Sequence, residues 1–345
     1  MFPFNQNFIV DDYVCTYAVP YNDLYVNSSN NNPDSDGSSW EKAFSNLSAA
    51  LNLISMWNFS NVTIHIAGAD GGAVDYTGIG VNTGFTLNNS FDRLIIIGEF
   101  GNPVFNAGGS GRIFTISATN VTLINLNITS SAGPIYSTGA NLSIINCSFI
   151  NNTGNSIQNT GAGLIVNGSN FIGTGATINS NNFYLYYSYF INNNQNCISG
   201  SGFNVYYSYF INNTVTAINS DYNFNLYYSH FINNKNTPIR FAVTYYYYAW
   251  GVYNCSFINN SGSDGGAIYY QFGSSGDGFK FDVVNSTFIN NTATTGGAIY
   301  FNTYNDYSAR STFLVNNCTF INNTATTGGA IRAYFSGNDH YFFSY

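Results

Sequence analysis

The long insertions of the later coils hold five charged side chains, Asp277, Lys280, Asp282, Asp306 and Arg310, and a sixth, Asp264, stands beside the first Gly-Gly pair. Cleavage of a polysaccharide draws on such groups. A glycosidase sets two carboxyls about 5 to 9.5 Å apart, and a metal-assisted lyase gathers carboxylates around its cation with a base nearby. The middle of the chain cannot supply that chemistry, since no Asp, Glu, Lys, Arg or His occurs from Ile113 to Ser220. The six are read as solvated loop charges, and the chain as a non-enzymatic binding scaffold. A polysaccharide lyase or glycoside hydrolase built on these six is the alternative. His65 reads as a packed histidine in an apolar strand, and neither His230 nor His340 has an acid or nucleophile at a telling spacing. No catalytic triad, metal-ligand set or cofactor is expected.

Aromatic residues offer a different chemistry. Tyr186, Tyr206, Tyr227 and Tyr253 each lie four residues before a recurring Phe, and Tyr189, Tyr209 and His230 lie just before one. With the Phe inward and the chain bending between the positions five and two before it, both sets face outward. Stacked along the molecule they form a flat amphipathic strip, which either stabilises the sheet or meets sugar rings or protein. The run from Tyr245 to Trp250, including Tyr247, reads as part of a longer insertion and as the foremost contact point. The expected partner is a glycan or protein on the surface of another cell.

What must position these residues is a repeat. The recurring phenylalanines are Phe149, Phe171, Phe190, Phe210, Phe231, Phe257, Phe288 and Phe320, spaced by 22, 19, 20, 21, 26, 31 and 32 residues. All but Phe171 are followed by Ile-Asn-Asn. A unit near 20 residues is too short for paired helices, which need about 33 to 47, and suits one coil of a β-solenoid. Each coil has a β-favouring run before the Phe and another at a small-residue-Ile pair such as Ala217-Ile218. With the Phe inward, Ile144, Cys147 and Phe149 share the interior. Cys147, Cys255 and Cys318 stand where other copies carry Ser188, Ser208, Ser229 and Ser286, and read as small buried fillers.

Three residues past the Phe stand Asn152, Asn193, Asn213, Asn234, Asn260, Asn291 and Asn323. Stacked about every 4.8 Å, their amides can hydrogen-bond up and down a ladder, a structural role. Gly265-Gly266-Ala267-Ile268 recurs from Gly296 and from Gly328, and supplies a tight corner. Fold class follows: all-β, a right-handed parallel β-helix with a short N-terminal capping helix.

Residues 1–20 are expected to be poorly ordered. Residues 21–60 should hold an opening strand and the capping helix, with apolar positions at Trp40, Ala43, Phe44, Leu47, Ala50, Leu51 and Ile54 and a capping-box spacing at Ser38 to Glu41. Residues 61–345 should form the β-helix, regular from about 140, with longer insertions after about 239 and an exposed last coil.

Only 7% of residues are charged, against 45% hydrophobic and 18% aromatic, so the chain can bury a large core and must draw solubility from neutral polar groups. Eight cationic residues and a net charge of -8 argue against nucleic acid. No run of about 18 apolar residues suggests a membrane span. The first cationic side chain is Lys42, so no basic segment leads an apolar one, and the chain is expected to be a piece of a longer protein or mis-started. Sequons such as Asn61-Val62-Thr63 would accept N-glycans on an exported chain.

The Phe-Ile-Asn-Asn-Thr and Gly-Gly-Ala-Ile motifs, with the opening Asp36-Gly37-Ser38-Ser39-Trp40, resemble those of the adhesin-like surface proteins of methanogenic archaea. The repeats are also similar to those of chlamydial polymorphic outer-membrane proteins. From about residue 21 onward the resemblance implies a pectate-lyase-like β-helix displayed outside the cell, with a membrane or wall anchor.

Overall fold

The computed structural model describes residues 5–10, 13–18, 22–57, 59–72, 74–109, 111–173, 175, 178–243, 249–272, 280–303, 312–335 and 341–344. Its body is a right-handed parallel β-helix. From the third sheet's first strand onward the coils contribute to three sheets, which hold 13, 10 and 11 strands because the opening coils add strands to the first sheet alone. The first sheet runs from Asp23–Val26 to Tyr341–Ser344, the second from Val104–Asn106 to Thr319–Ile321, and the third from Phe85–Leu87 to Ile331–Phe335.

Alternation does the sorting. Most second-sheet strands are three residues long with only the central side chain buried, as in Tyr209–Ile211. That residue is the repeat Phe, and the parallel register sets Phe190 opposite Phe210 and Phe210 opposite Phe231. Ring centroids along the whole row from Phe149 to Phe320 lie 4.6 to 4.9 Å apart. Phe171 keeps its place although Ile-Gly follows it, because Gly173 adopts the same left-handed turn with φ of 58°. The longer spacings do not break the row. Their extra residues, 244–248, 273–279 and 304–311, connect third-sheet strands to first-sheet strands and lie outside the described residues.

The Asn-Asn pair divides its labour. Its first member is left-handed, as in Asn212 with φ of 55°, a conformation Asn tolerates better than other side-chain-bearing residues. Its second points inward and is buried. Asn213 Nδ2 donates to Phe190 O at 3.1 Å and to Asn234 Oδ1 at 2.8 Å, while Asn213 Oδ1 accepts from Asn193 N and Nδ2 at 3.0 Å each. The ladder continues through Asn260 and Asn291 to Asn323. Asn152 instead accepts from Ser131 N.

The small fillers also bond. Ser188 N donates to Ser208 Oγ, Ser208 N to Ser229 Oγ, and Ser229 N to Cys255 Sγ. Burial pushes the Cys147 and Cys255 thiols up to about 12. Native protein treated with a maleimide at neutral pH is therefore expected to leave Cys147, Cys197 and Cys255 unmodified by peptide mass mapping, and to label all three in denaturant. Fast labelling of any of them in the native state would contradict the interior placement.

Two expectations need correction at the N-terminal end. The helix spans only Leu47–Trp57, with Leu47, Ala50, Leu51 and Ile54 buried against the first coils. Asn46 Oδ1 caps it by accepting from Ala49 N, and Asn82 Oδ1 accepts from Leu47 N, so the Ser38 to Glu41 box is unused. Trp40, Ala43 and Phe44 belong to turns and to a bridge between Phe44 and Val26, because the Asp36 and Gly37 turn bends the chain before a helix can nucleate. Ahead of the helix, Asn5–Val10 and Tyr13–Ala18 pair as antiparallel strands. On the last rungs Phe320, Ile331 and Phe335 are only partly buried, for want of a following coil among the described residues.

Candidate polysaccharide-binding face

At the corner between first and second sheets, three residues before the central residue of each second-sheet strand from Asn127–Thr129 onward, the backbone is left-handed. Asn125, Asn146, Gly168, Asn254, Asn285 and Asn317 fill that position on six rungs, as the conformation favours. Three consecutive rungs carry tyrosine there instead: Tyr187, Tyr207 and Tyr228, with φ of 49°, 51° and 52°. A bulky residue held in that region costs on the order of 1 kcal/mol or more and marks a site to inspect for function. The three rings stack at 5.0 and 4.9 Å and stand 55%, 41% and 44% exposed.

Flanking columns complete a terrace. On the first sheet Tyr186, Tyr206, Tyr227 and Tyr253 stack at 5.1, 4.9 and 5.1 Å. On the second, Tyr189 stacks on Tyr209 at 4.9 Å and Tyr209 on His230 at 4.6 Å. His230 Nδ1 lies 2.6 Å from Ser256 Oγ, and burial lowers its pKa. Both columns face outward, as the alternation requires. The signal for the corner column lay in the triplets Tyr186-Tyr187-Ser188, Tyr206-Tyr207-Ser208 and Tyr227-Tyr228-Ser229, whose middle member the two-residue period alone does not place.

One expected contact residue falls elsewhere. Trp250 is 1% exposed, on the inner face of the first-sheet strand Ala249–Tyr253 and edge-on to Phe241 at 5.0 Å. The register pairing Val252 with Leu226 fixes even-numbered residues of this strand inward, so Trp250 belongs to the core. Tyr247 lies outside the described residues.

The first-sheet column ends beside a carboxylate. Asp282 occupies the outer face of Lys280–Val284, opposite Gly251 on the preceding strand. The Tyr253 ring lies across Gly251, where any Cβ would meet the phenol oxygen at 2.7 Å. Lys280 Nζ pairs with Asp282 Oδ2 at 2.8 Å. The Asp282 side chain is only 9% exposed, and its buried Oδ1 makes no hydrogen bond of good geometry among the described residues, although the Tyr253 phenol lies near enough that a hydrogen bond to Asp282 is among the causes that raise it. Burial first, then the Asp282 charge, pushes the Tyr253 phenol up to about 12, so it stays protonated at neutral pH. Of the six late charges, the structure brings together Asp282 and Lys280. Asp264 sits at the turn into the third sheet, while Asp277, Asp306 and Arg310 lie outside the described residues.

His65 also departs from expectation. It projects from the outer face of the first sheet, with Nδ1 2.6 Å from Glu99 Oε1 and Nε2 3.1 Å from Asp23 Oδ1, and Tyr25 stacked on its ring at 4.9 Å. The strand alternates with Ile64 and Ile66 inward, which leaves His65 outside.

No family model matches the chain, and no curated protein matches it by sequence. Solved structures do match in shape. The catalytic domain of Agl-KA superposes with a TM-score of 0.57 at 13% identity, covering 95% of this chain and 69% of that one. A rhamnogalacturonan lyase covers 91% of this chain and 85% of its own length at 12% identity and a TM-score of 0.39. The catalytic domain of a GH87 alpha-1,3-glucanase in complex with tetrasaccharides covers 86% of this chain and 66% of its own length, at 10% identity and a TM-score of 0.49. The likeness to the Agl-KA catalytic domain overturns the exclusion of enzymatic activity drawn from sequence: the fold is one that a catalytic domain adopts. At such identity it carries the fold and not a reaction.

Proposed function

We propose that the chain acts on a polyuronide, which lies along the tyrosine terrace and is cleaved beside Asp282. The observation that carries this reading is Asp282, whose buried Oδ1 makes no well-formed hydrogen bond with a described residue and which is set between a protonated phenol and an ammonium group at the end of a row of half-buried aromatic rings, beside the exposed corner column. A buried polar atom left unpaired calls for a partner, and a ligand proton is one. The corner tyrosines give the polymer flat faces on which sugar rings can stack.

The three groups match the needs of β-elimination. Asp282 takes the proton from the carbon beside the uronate carboxyl. That electron pair forms the carbon–carbon double bond as the bond to the leaving sugar oxygen breaks, and the Tyr253 phenol gives its proton to that oxygen. Lys280 pairs with the uronate carboxylate, where charge develops. Hydrolysis would need a second carboxyl within about 9.5 Å, and among the described residues this face offers Asp282 alone next to the terrace. The reading includes display outside the cell, where such polymers are borne on or secreted around cell surfaces.

The test is depolymerisation of polygalacturonate and alginate, followed by ultraviolet absorbance of the unsaturated product. Asp282→Asn is expected to lower kcat by about 100-fold or more. Tyr207→Ser is expected to raise KM with kcat little changed, since the corner ring binds ground state and transition state alike. Absence of cleavage on every polyuronide, or full activity in Asp282→Asn, would sink the proposal.

A further inference from the structure

A second cleft opens on another side of the solenoid, at the turn from second to third sheet. It encloses about 360 Å³ and is lined by Thr216, Asn236, Thr237, Arg240, Ser263, Asp264 and Tyr269. Its volume falls within the range of about 300 to 1,000 Å³ found for ligand clefts. None of these residues belongs to the terrace or to the Asp282 group.

The cleft is built around a strained backbone. Asn236 and Thr237 are both left-handed, with φ of 56° and 55°. For a β-branched residue that is an outlier, and such outliers gather at ligand clamps. Thr237 is held there because its Oγ1 donates to Asp264 O at 2.7 Å and because Gly262 leaves room, any Cβ there meeting Thr237 Oγ1 at 2.0 Å. The same contact fixes the turn that carries Asp264. Across the cleft Arg240 and Tyr269 are register neighbours on the outer face of the third sheet. Burial first, and then the Asp264 charge among its neighbours, raises the Tyr269 phenol, while an Asn302 hydrogen bond lowers it.

Arg240 and Asp264 share this cleft without an ion pair to each other or to any described residue. An unpaired guanidinium takes a carboxylate in two parallel hydrogen bonds. An unpaired carboxylate accepts from hydroxyls, the Thr, Ser and Asn groups can exchange hydrogen bonds with more of them, and the Tyr269 ring offers a face. A doubly charged anion such as phosphate is disfavoured by Asp264 at the same wall. We infer that this cleft binds a single uronic acid unit, its carboxylate on Arg240 and its hydroxyls on Asp264. It is thus a second anionic-sugar site, separate from the cleaving face.

The test is calorimetric titration with a galacturonate trimer and with a neutral galactose trimer. It is run in a Tyr207→Ser, Lys280→Gln background, which removes the corner ring and the ammonium group that the terrace proposal gives to uronide binding, and the Arg240→Gln variant made in that background assigns what remains to the cleft whether or not the terrace proposal holds. Uronide binding is expected to persist in this background and to exceed that of the neutral trimer. Arg240→Gln should then weaken it by about 10- to 100-fold, the worth of a charge-assisted hydrogen bond. Asp264→Asn should weaken it less, since an amide oxygen still accepts. Inorganic phosphate should not displace the trimer. Loss of uronide binding in the background alone, equal affinity for the neutral trimer, or unchanged affinity in Arg240→Gln with a native circular dichroism spectrum would overturn the inference.

Discussion

Replacing Asn213 with leucine is expected to destabilise the middle coils by about 4 kcal/mol, although leucine is apolar and similar in size. The substitution removes the acceptor for Asn193 N and Asn193 Nδ2 and the donor for Phe190 O. Asn193 Nδ2 keeps its bond to Phe171 O, but the backbone groups Asn193 N and Phe190 O each lose the Asn213 amide inside the core at about 1 to 3 kcal/mol, partly offset by the added apolar burial. Its chain neighbour behaves in the opposite way. Asn212 is left-handed and its amide is exposed, so Asn212→Gly should change stability by well under 1 kcal/mol. Because repeat arrays do not unfold as one unit, the readout is native-state hydrogen exchange of the Tyr209–Ile211 and His230–Ile232 amides beside the urea midpoint. Equal effects at the two positions would show that the ladder adds nothing to the corner.

Phe210→Ala is expected to cost a further-reaching 3 to 5 kcal/mol, roughly the penalty for emptying a core aromatic site. Phe210 is fully buried, and its ring stacks on Phe190 at 4.8 Å and on Phe231 at 4.6 Å. The rungs above and below cannot close the gap, because backbone hydrogen bonds fix their spacing near 4.8 Å. Phe320→Ala, at a half-buried rung, should cost about half as much. Chemical denaturation followed by circular dichroism measures both. A Phe210→Ala variant as stable as Phe320→Ala would mean that the interior row is not the source of cohesion.

Some of this was legible before folding. The Phe row, the buried Asn ladder, the small fillers and the outward tyrosine columns follow from local periodicity, and each stands where the repeat puts it. Where no repeat guided the reading, it slipped. Helical spacing from Trp40 to Leu47 was real in the sequence, yet the turn at Gly37 and the bridge to Val26 claim those residues first. Trp250, next to a run of tyrosines, looked like surface, and only its pairing with Phe281 on the next strand shows which face it takes.

By itself the sequence determined the rung: a chain with one inward Phe, one buried Asn and alternating strands can satisfy its backbone and bury its aromatics only by stacking coils. Tertiary structure alone decided what the outside presents. Tyr253 and Asp282 are 29 positions apart and meet because parallel register sets Gly251 opposite Asp282 and leaves the phenol space to lie across it. Arg240 and Asp264 face one cleft through a turn that a strained Thr237 holds in place. Local spacing carries no information about such meetings, since they depend on how many residues each insertion adds between one rung and the next.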